Sequence, residues 1–241
     1  MTGYYAGPIA RLLFVFMLLG VASCASQDPT DQFMTPEEII TELRTQAEQG
    51  DAATQYLLGW RYINGRGVEK DDVEAVRWWT QAADQGNLSA QLTLAVRYDN
   101  GEGVAQDQAE AVRWYLQAAE QGHVAAQVIL GGRYANGRGV ERDDVLAVEW
   151  YRKAAEQGNV RAQYSLGVMY ETGQGISQDN VQAYLWYDLA ASHPSVEQEQ
   201  SIKNRDIVVT QMTSEELAEA QRLVRELSLI HISEPTRRYA I

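Results

Sequence analysis

The 241-residue chain is poor in cysteine, histidine and positive charge, and it holds no long apolar run. Its single cysteine, Cys24, excludes an intrachain disulfide. The three histidines, His123, His193 and His231, are scattered and form no cluster at metal-ligand spacing. Lysine plus arginine number 20 against 33 aspartate plus glutamate, a formal net charge of −13. Neutralising phosphates needs a basic face, so nucleic acid is not an expected partner; the charge serves solubility and names no partner. The longest apolar run, Leu12 to Ala22, is short for a bilayer span, which needs about 20 apolar residues. No Ser/His/Asp arrangement, paired-carboxylate motif or phosphate loop stands out, because the acidic positions follow helix caps and solvated faces. Neither catalysis, a metal nor a cofactor is expected.

What the chain has instead is one 36-residue frame, stated four times. From Asp51 it reads DAATQYLLGWRYINGRGVEKDDVEAVRWWTQAADQG, and it returns from Asn87, from His123 and, more loosely, from Asn159. Gly50, Gly86, Gly122 and Gly158 close successive frames. A fixed period of about 20–50 residues marks a stack of like units, each contacting its neighbours, with no single central core. The units are 51–86, 87–122, 123–158 and 159–194.

Each unit reads as two helices. Helix A of the first runs from about Ala52 to Tyr62, with Leu57, Leu58 and Tyr62 on one stripe. One of its columns stays small: Gly59, Ala95, Gly131, Gly167. A mid-helix glycine costs up to about 1 kcal/mol relative to alanine, so close helix–helix approach is the expected return. Helix A ends at a glycine pair, Gly65/Gly67, repeated as Gly101/Gly103, Gly137/Gly139 and Gly173/Gly175. A glycine just past a helix supplies the left-handed turn. With no strand before it and no third glycine after it, this GxG is not a dinucleotide loop. Helix B opens on an aspartate in every unit, Asp71, Asp107, Asp143 and Asp179, suited to cap the helix and to its positive dipole end. Ala75, Trp78, Trp79, Ala82 and Ala83 then form a buried stripe, with Trp114/Tyr115, Trp150/Tyr151 and Trp186/Tyr187 in the aromatic places later. Five of the six tryptophans fall in these columns and read as core; Trp60 stands apart.

Thr35-Pro36-Glu37-Glu38 reads as a capping box with proline at the first helical position, opening a lone capping helix over 36–49. Pro194 replaces the next closing glycine. Capping helices over 196–226 follow, one from about Val196 to Val209 and one from about Ser214 to Leu227, the second behind a Thr213/Glu216 capping box. Residues 227–237, LSLIHISEPTR, resemble the translation of a transposase mosaic-end sequencing adapter. Residues 227–241 are therefore set aside from functional reasoning, His231 with them.

The pattern AxxQxxLGxxYxxGxGVxxDxxxAxxWYxxAAxxG resembles the Sel-one-like repeat, a relative of the tetratricopeptide repeat, across about residues 36–226. The resemblance implies an all-α fold: a right-handed α-solenoid of antiparallel helix pairs that works as a protein-interaction scaffold. Such proteins are common among bacterial envelope lipoproteins and secreted host-interaction factors. A cysteine-rich branch, stapled by a disulfide in each repeat, is linked to penicillin binding and β-lactamase activity; these repeats hold no cysteine, so that activity does not carry over. The first 23 residues, with Arg11, the apolar run and Val21-Ala22-Ser23-Cys24, resemble a lipoprotein signal peptide in which Cys24 is diacylated. An ordinary secretory signal cleaved after Ala25 is the alternative. Residues 24–34 are then a polar tether between membrane and array. Ala25, rather than an aspartate, implies the outer membrane, facing the periplasm.

One column is not explained by architecture. Ahead of the helix A tyrosine stand Arg61, Arg97, Arg133 and then Met169. In this resemblance helix A lines the concave surface, so Trp60, Arg61, Arg97 and Arg133, with Ala53, Leu57 and Ile63, form an expected partner-binding strip. The competing expectation is that each arginine pairs with an acid of a neighbouring helix. The expected function is a lipid-anchored, non-enzymatic scaffold binding an unidentified protein or peptide. The alternatives are a regulator or accessory factor of a cell-wall or polysaccharide enzyme, and a surface-exposed host-interaction factor.

Overall fold

The computed structural model describes residues 35–233, with side chains to Leu227. The signal segment, Cys24, the tether and residues 234–241 lie outside the described residues. Within them the fold is eleven α-helices and no strand. A lone helix, α1 (Pro36–Glu48), precedes four antiparallel pairs. These are α2 (Ala52–Asn64) with α3 (Asp72–Asp84), and α4 (Leu88–Asn100) with α5 (Gln108–Glu120). Then come α6 (Val124–Asn136) with α7 (Asp144–Glu156), and α8 (Val160–Thr172) with α9 (Asn180–Ala191). Helices α10 (Gln198–Val209) and α11 (Ser214–Ser233) both pack on α9 and close that end. Helix α10 starts two residues later than expected, behind Glu197, which makes no side-chain cap. Helix α11 runs past the expected end at Leu227 because no glycine or proline interrupts it before Pro235.

The capping chemistry explains where each helix stops and starts. The Asp71, Asp107 and Asp143 carboxylates each accept from two backbone N–H groups of the first turn of helix B, and Asp179 accepts from that of Gln182. The helix A caps are Asp51, Asn87, His123 and Asn159, each accepting from the N–H three residues on. The αL residue after helix A is a glycine in every unit, with φ between +62° and +73° at Gly65, Gly101, Gly137 and Gly173.

Three contacts recur between helices. First, the second aromatic of helix B lies flat against the small residue of helix A. An added Cβ on Gly59 would come within 2.6 Å of the Trp79 ring, and on Gly131 within 2.6 Å of the Tyr151 ring. The Trp79 indole N–H also donates to the Tyr56 carbonyl at 3.1 Å. Second, a buried glutamine latches each helix A to the helix before it. Gln55, Gln91, Gln127 and Gln163 donate to the carbonyls of Ala47, Ala83, Ala119 and Ala155 at 2.9–3.3 Å. Gln85, Gln121 and Gln157 in turn donate to the side-chain carbonyls of Gln55, Gln91 and Gln127. In the fourth unit His193 takes that place and bonds elsewhere, leaving the buried Gln163 Oε1 without a partner. Third, the second glycine of each turn rests on the preceding helix: Gly103 against the Asp72 carbonyl, Gly139 against that of Gln108, Gly175 against that of Asp144. The core is accordingly a row of clusters that run from unit to unit.

Two consequences are measurable. Gly137 and Gly139 share a positive φ, but only Gly139 abuts a neighbouring backbone. Gly137→Ala should cost about 1 kcal/mol for the left-handed conformation alone. Gly139→Ala should cost roughly 2–4 kcal/mol, the overpacking adding to the strain. Urea unfolding of the two variants compares them directly. His123 holds its cap only while Nδ1 is unprotonated, since that atom accepts from the Ala126 N–H at 3.2 Å. Burial lowers its pKa below the ordinary 6.5, so the unfolded chain takes up a proton first. Stability from this cap is whole above about pH 6.5 and declines as pH falls below that value, until the folded ring is protonated too. His123→Asn, scanned by urea midpoint from pH 7.5 to 5, should show a flatter profile than the parent chain.

Candidate partner-binding site

The four positions of the arginine column occupy equivalent places on α2, α4, α6 and α8, yet they face different neighbours. Arg133 is 4% exposed. It forms an ion pair with Asp99 on α4, at the end of the preceding unit's helix A, and its Nη1 donates to the Arg138 carbonyl at 3.4 Å. Its guanidinium also lies 5.2 Å from the Tyr115 ring centroid. Arg138 reaches the same Asp99 carboxylate at 3.5 Å. Arg133 therefore leaves the expected binding strip: it is consumed inside the array, and desolvated charges of this kind hold only while paired.

Arg97 has Ile63 where Arg133 has Asp99, and so no acid on the preceding helix A. It turns to its own loop, pairing with Glu102 at 2.8 Å, and lies 5.4 Å from the Trp79 ring centroid. Met169 has Ala135 at that place; Met169 is buried in the cluster against which Ala135 packs. The surroundings differ at each step: Arg133 pairs with the acid 34 positions earlier, Arg97, with Ile63 there, turns to Glu102 of its own loop, and Met169 is buried where Ala135 packs. The 34-residue offset was present in the sequence, but it becomes visible only once neighbouring units are laid side by side.

Arg61 is the exception. No described unit precedes it to supply the residue at that offset. Its side chain is half-buried, its Nε is buried without a partner, and it forms no ion pair among the described residues. Burial lowers its pKa, and the neighbouring Arg66 cation lowers it further. The Arg66 guanidinium stacks 4.6 Å from the centroid of the half-exposed Trp60 ring. Arg44 on α1 donates to the Tyr62 hydroxyl at 2.9 Å. Three arginines and an accessible indole thus gather at the α1/α2 end of an acidic protein, with none of the three in an ion pair among the described residues. The remaining strip positions vary: Ala53 is exposed, Leu57 and Ile63 half-buried. Among the described residues no group of His, Cys, Asp and Glu could hold a metal ion, and no helix is long and apolar enough to cross a membrane.

Comparison with known proteins agrees with this architecture. A family model described as Sel1 repeat matches residues 52–87, 88–123, 124–159 and 160–195, one residue on from the frames counted from Asp51. A Sel1 repeat protein from Oxalobacter formigenes is 31% identical, with a TM-score of 0.61 over 73% of this chain and 80% of that one. The protective antigen c5321 of uropathogenic Escherichia coli, described as displaying an SLR fold, is 29% identical. That match covers 85% of this chain and 53% of the antigen, with a TM-score of 0.45. Cysteine-rich protein B of Helicobacter pylori is 19% identical over 53% of this chain and 95% of its own, with a TM-score of 0.40. No curated protein matches the chain. Four consecutive matches over more than half of its length, on a framework of four stacked helix pairs, make this chain a member of the Sel1 repeat family.

Proposed function

We propose that the protein is a non-enzymatic interaction scaffold of the bacterial cell envelope, anchored through Cys24, that receives a protein or peptide on its helix A face at the α1/α2 end. Sel1 repeat proteins are interaction scaffolds. The observation that carries the finer reading is the contrast within the arginine column. Arg133 and Arg97 have acidic partners, whereas Arg61 and Arg66 have none among the described residues and lie beside accessible Trp60. A half-desolvated guanidinium without a counter-ion is costly in the free protein, and a partner's carboxylate offsets that cost on binding. The anchoring reading is supported by Val21-Ala22-Ser23-Cys24 and by the polar stretch that follows.

Substitution separates binding from architecture. Arg61→Glu and Trp60→Ala should abolish capture of the partner from native envelopes while moving the melting temperature little. Arg133→Ala should cost about 2–3 kcal/mol of stability, because it leaves the largely buried Asp99 carboxylate with only the more distant Arg138 guanidinium. A large loss of stability in Arg61→Glu would assign that arginine to the framework and remove the proposed site.

A further inference from the structure

We infer that the bound segment of the partner is a helix that presents a carboxylate where a preceding helix A would stand, so that Arg61 makes across the interface the bridge that Arg133 makes with Asp99. This rests on the scaffold reading above and names the partner's chemistry.

The array contains its own template for the contact. An arginine of the column can reach the C-terminal end of the preceding unit's helix A, as Arg133 on α6 reaches α4. The residue met there is Asp99, and the pair is nearly dry: side-chain exposures are 5% and 14%. The same column position on α2 has the same backbone setting, because the units repeat every 36 residues. Arg61 and Arg133 even share an unpartnered buried Nε. They differ in their terminal nitrogens. Those of Arg133 reach Asp99 and a carbonyl, while those of Arg61 reach nothing among the described residues.

The chemistry of the missing group follows from this. It is an anion, since Arg61 is a half-buried cation with no ion pair among the described residues. It is planar and bidentate by preference, as guanidinium–carboxylate pairs are. It arrives on a helix, because the carboxylate that Arg133 meets stands near the C-terminal end of a helix, α4. Trp60 adjoins Arg61 in the chain, and its stack with Arg66 adds a second cation and an apolar face for the partner's side chains.

The probe is a peptide with the sequence of residues 87–100, held helical by an i,i+4 staple on its solvent face. Binding to the full chain in detergent is read by fluorescence anisotropy. The stapled peptide should bind, and Asp99→Asn in the peptide or Arg61→Gln in the chain should each weaken it about tenfold, the worth of one charge-assisted hydrogen-bonded pair. Arg225→Gln, at the far end of the array, should leave affinity unchanged. Equal binding of the two peptides overturns the inference. An acidic peptide kept extended by prolines that binds in place of the stapled one also overturns it, leaving the scaffold reading intact. Failure of both peptides overturns the inference and leaves the scaffold reading to the capture experiment. Self-association of the chain that disappears with Arg61→Gln would assign the site to a second copy and overturn the partner-helix inference.

Discussion

The structure depends on one close contact: an aromatic ring of helix B pressed on the small residue of helix A. Glycine inside a helix forfeits up to about 1 kcal/mol. Burying a ring of 150–250 Å2 returns about 4–6 kcal/mol at most. The contact therefore wins, and it fixes the distance between the two helices of every unit. Gly59 with Trp79, Gly131 with Tyr151 and Gly167 with Tyr187 are three instances. At that distance the buried glutamines reach the alanine carbonyls of the helix before, and Gln55, Gln91 and Gln127 also accept from the glutamine 30 residues on, which Gln163 does not. The second turn glycine then lets the loop rest on the preceding helix backbone, and the step propagates.

A framework repeated this strictly leaves little freedom for function in its interior. The residues that vary between units are those at the end of helix A and in the column that meets them. Inside the array the neighbour decides where each column residue goes: Arg97, with Ile63 at that place, turns to Glu102. Asp99 meets Arg133, while Ala135 packs on the cluster that holds Met169. At the α1/α2 end the arginine stands with no residue at its offset in a preceding described unit. Arg133 has its acid in the preceding unit, whereas Arg61 has no ion pair among the described residues. The two share residue type and column and differ in neighbour.

Much of the fold was legible from the frame. Helix order, the aspartate caps, the left-handed glycines and the small column all follow from one 36-residue period and local rules. The glutamine latch was not, because an amide in a helix carries no apolar periodicity and its partners, 8 and 30 residues away, lie on other helices. Nor was His123 legible as a cap, since a ring nitrogen is an uncommon acceptor there. The arginine strip was half legible. Its phase along helix A was plain, but its burial depended on the identity of Asp99 and Ile63 in the previous unit. Cys24 and the tether lie outside the described residues, so the anchoring proposal rests on the sequence.

The central claim is that the first unit, and not the array at large, meets the partner. Site-specific photo-crosslinking in native cells tests it most directly. A benzophenone residue is placed in turn at the four equivalent helix A positions, Trp60, Val96, Gly132 and Val168. The account predicts a partner adduct at Trp60 and none at Val168. An adduct at Val168 with none at Trp60, or equal adducts along the whole column, would contradict it.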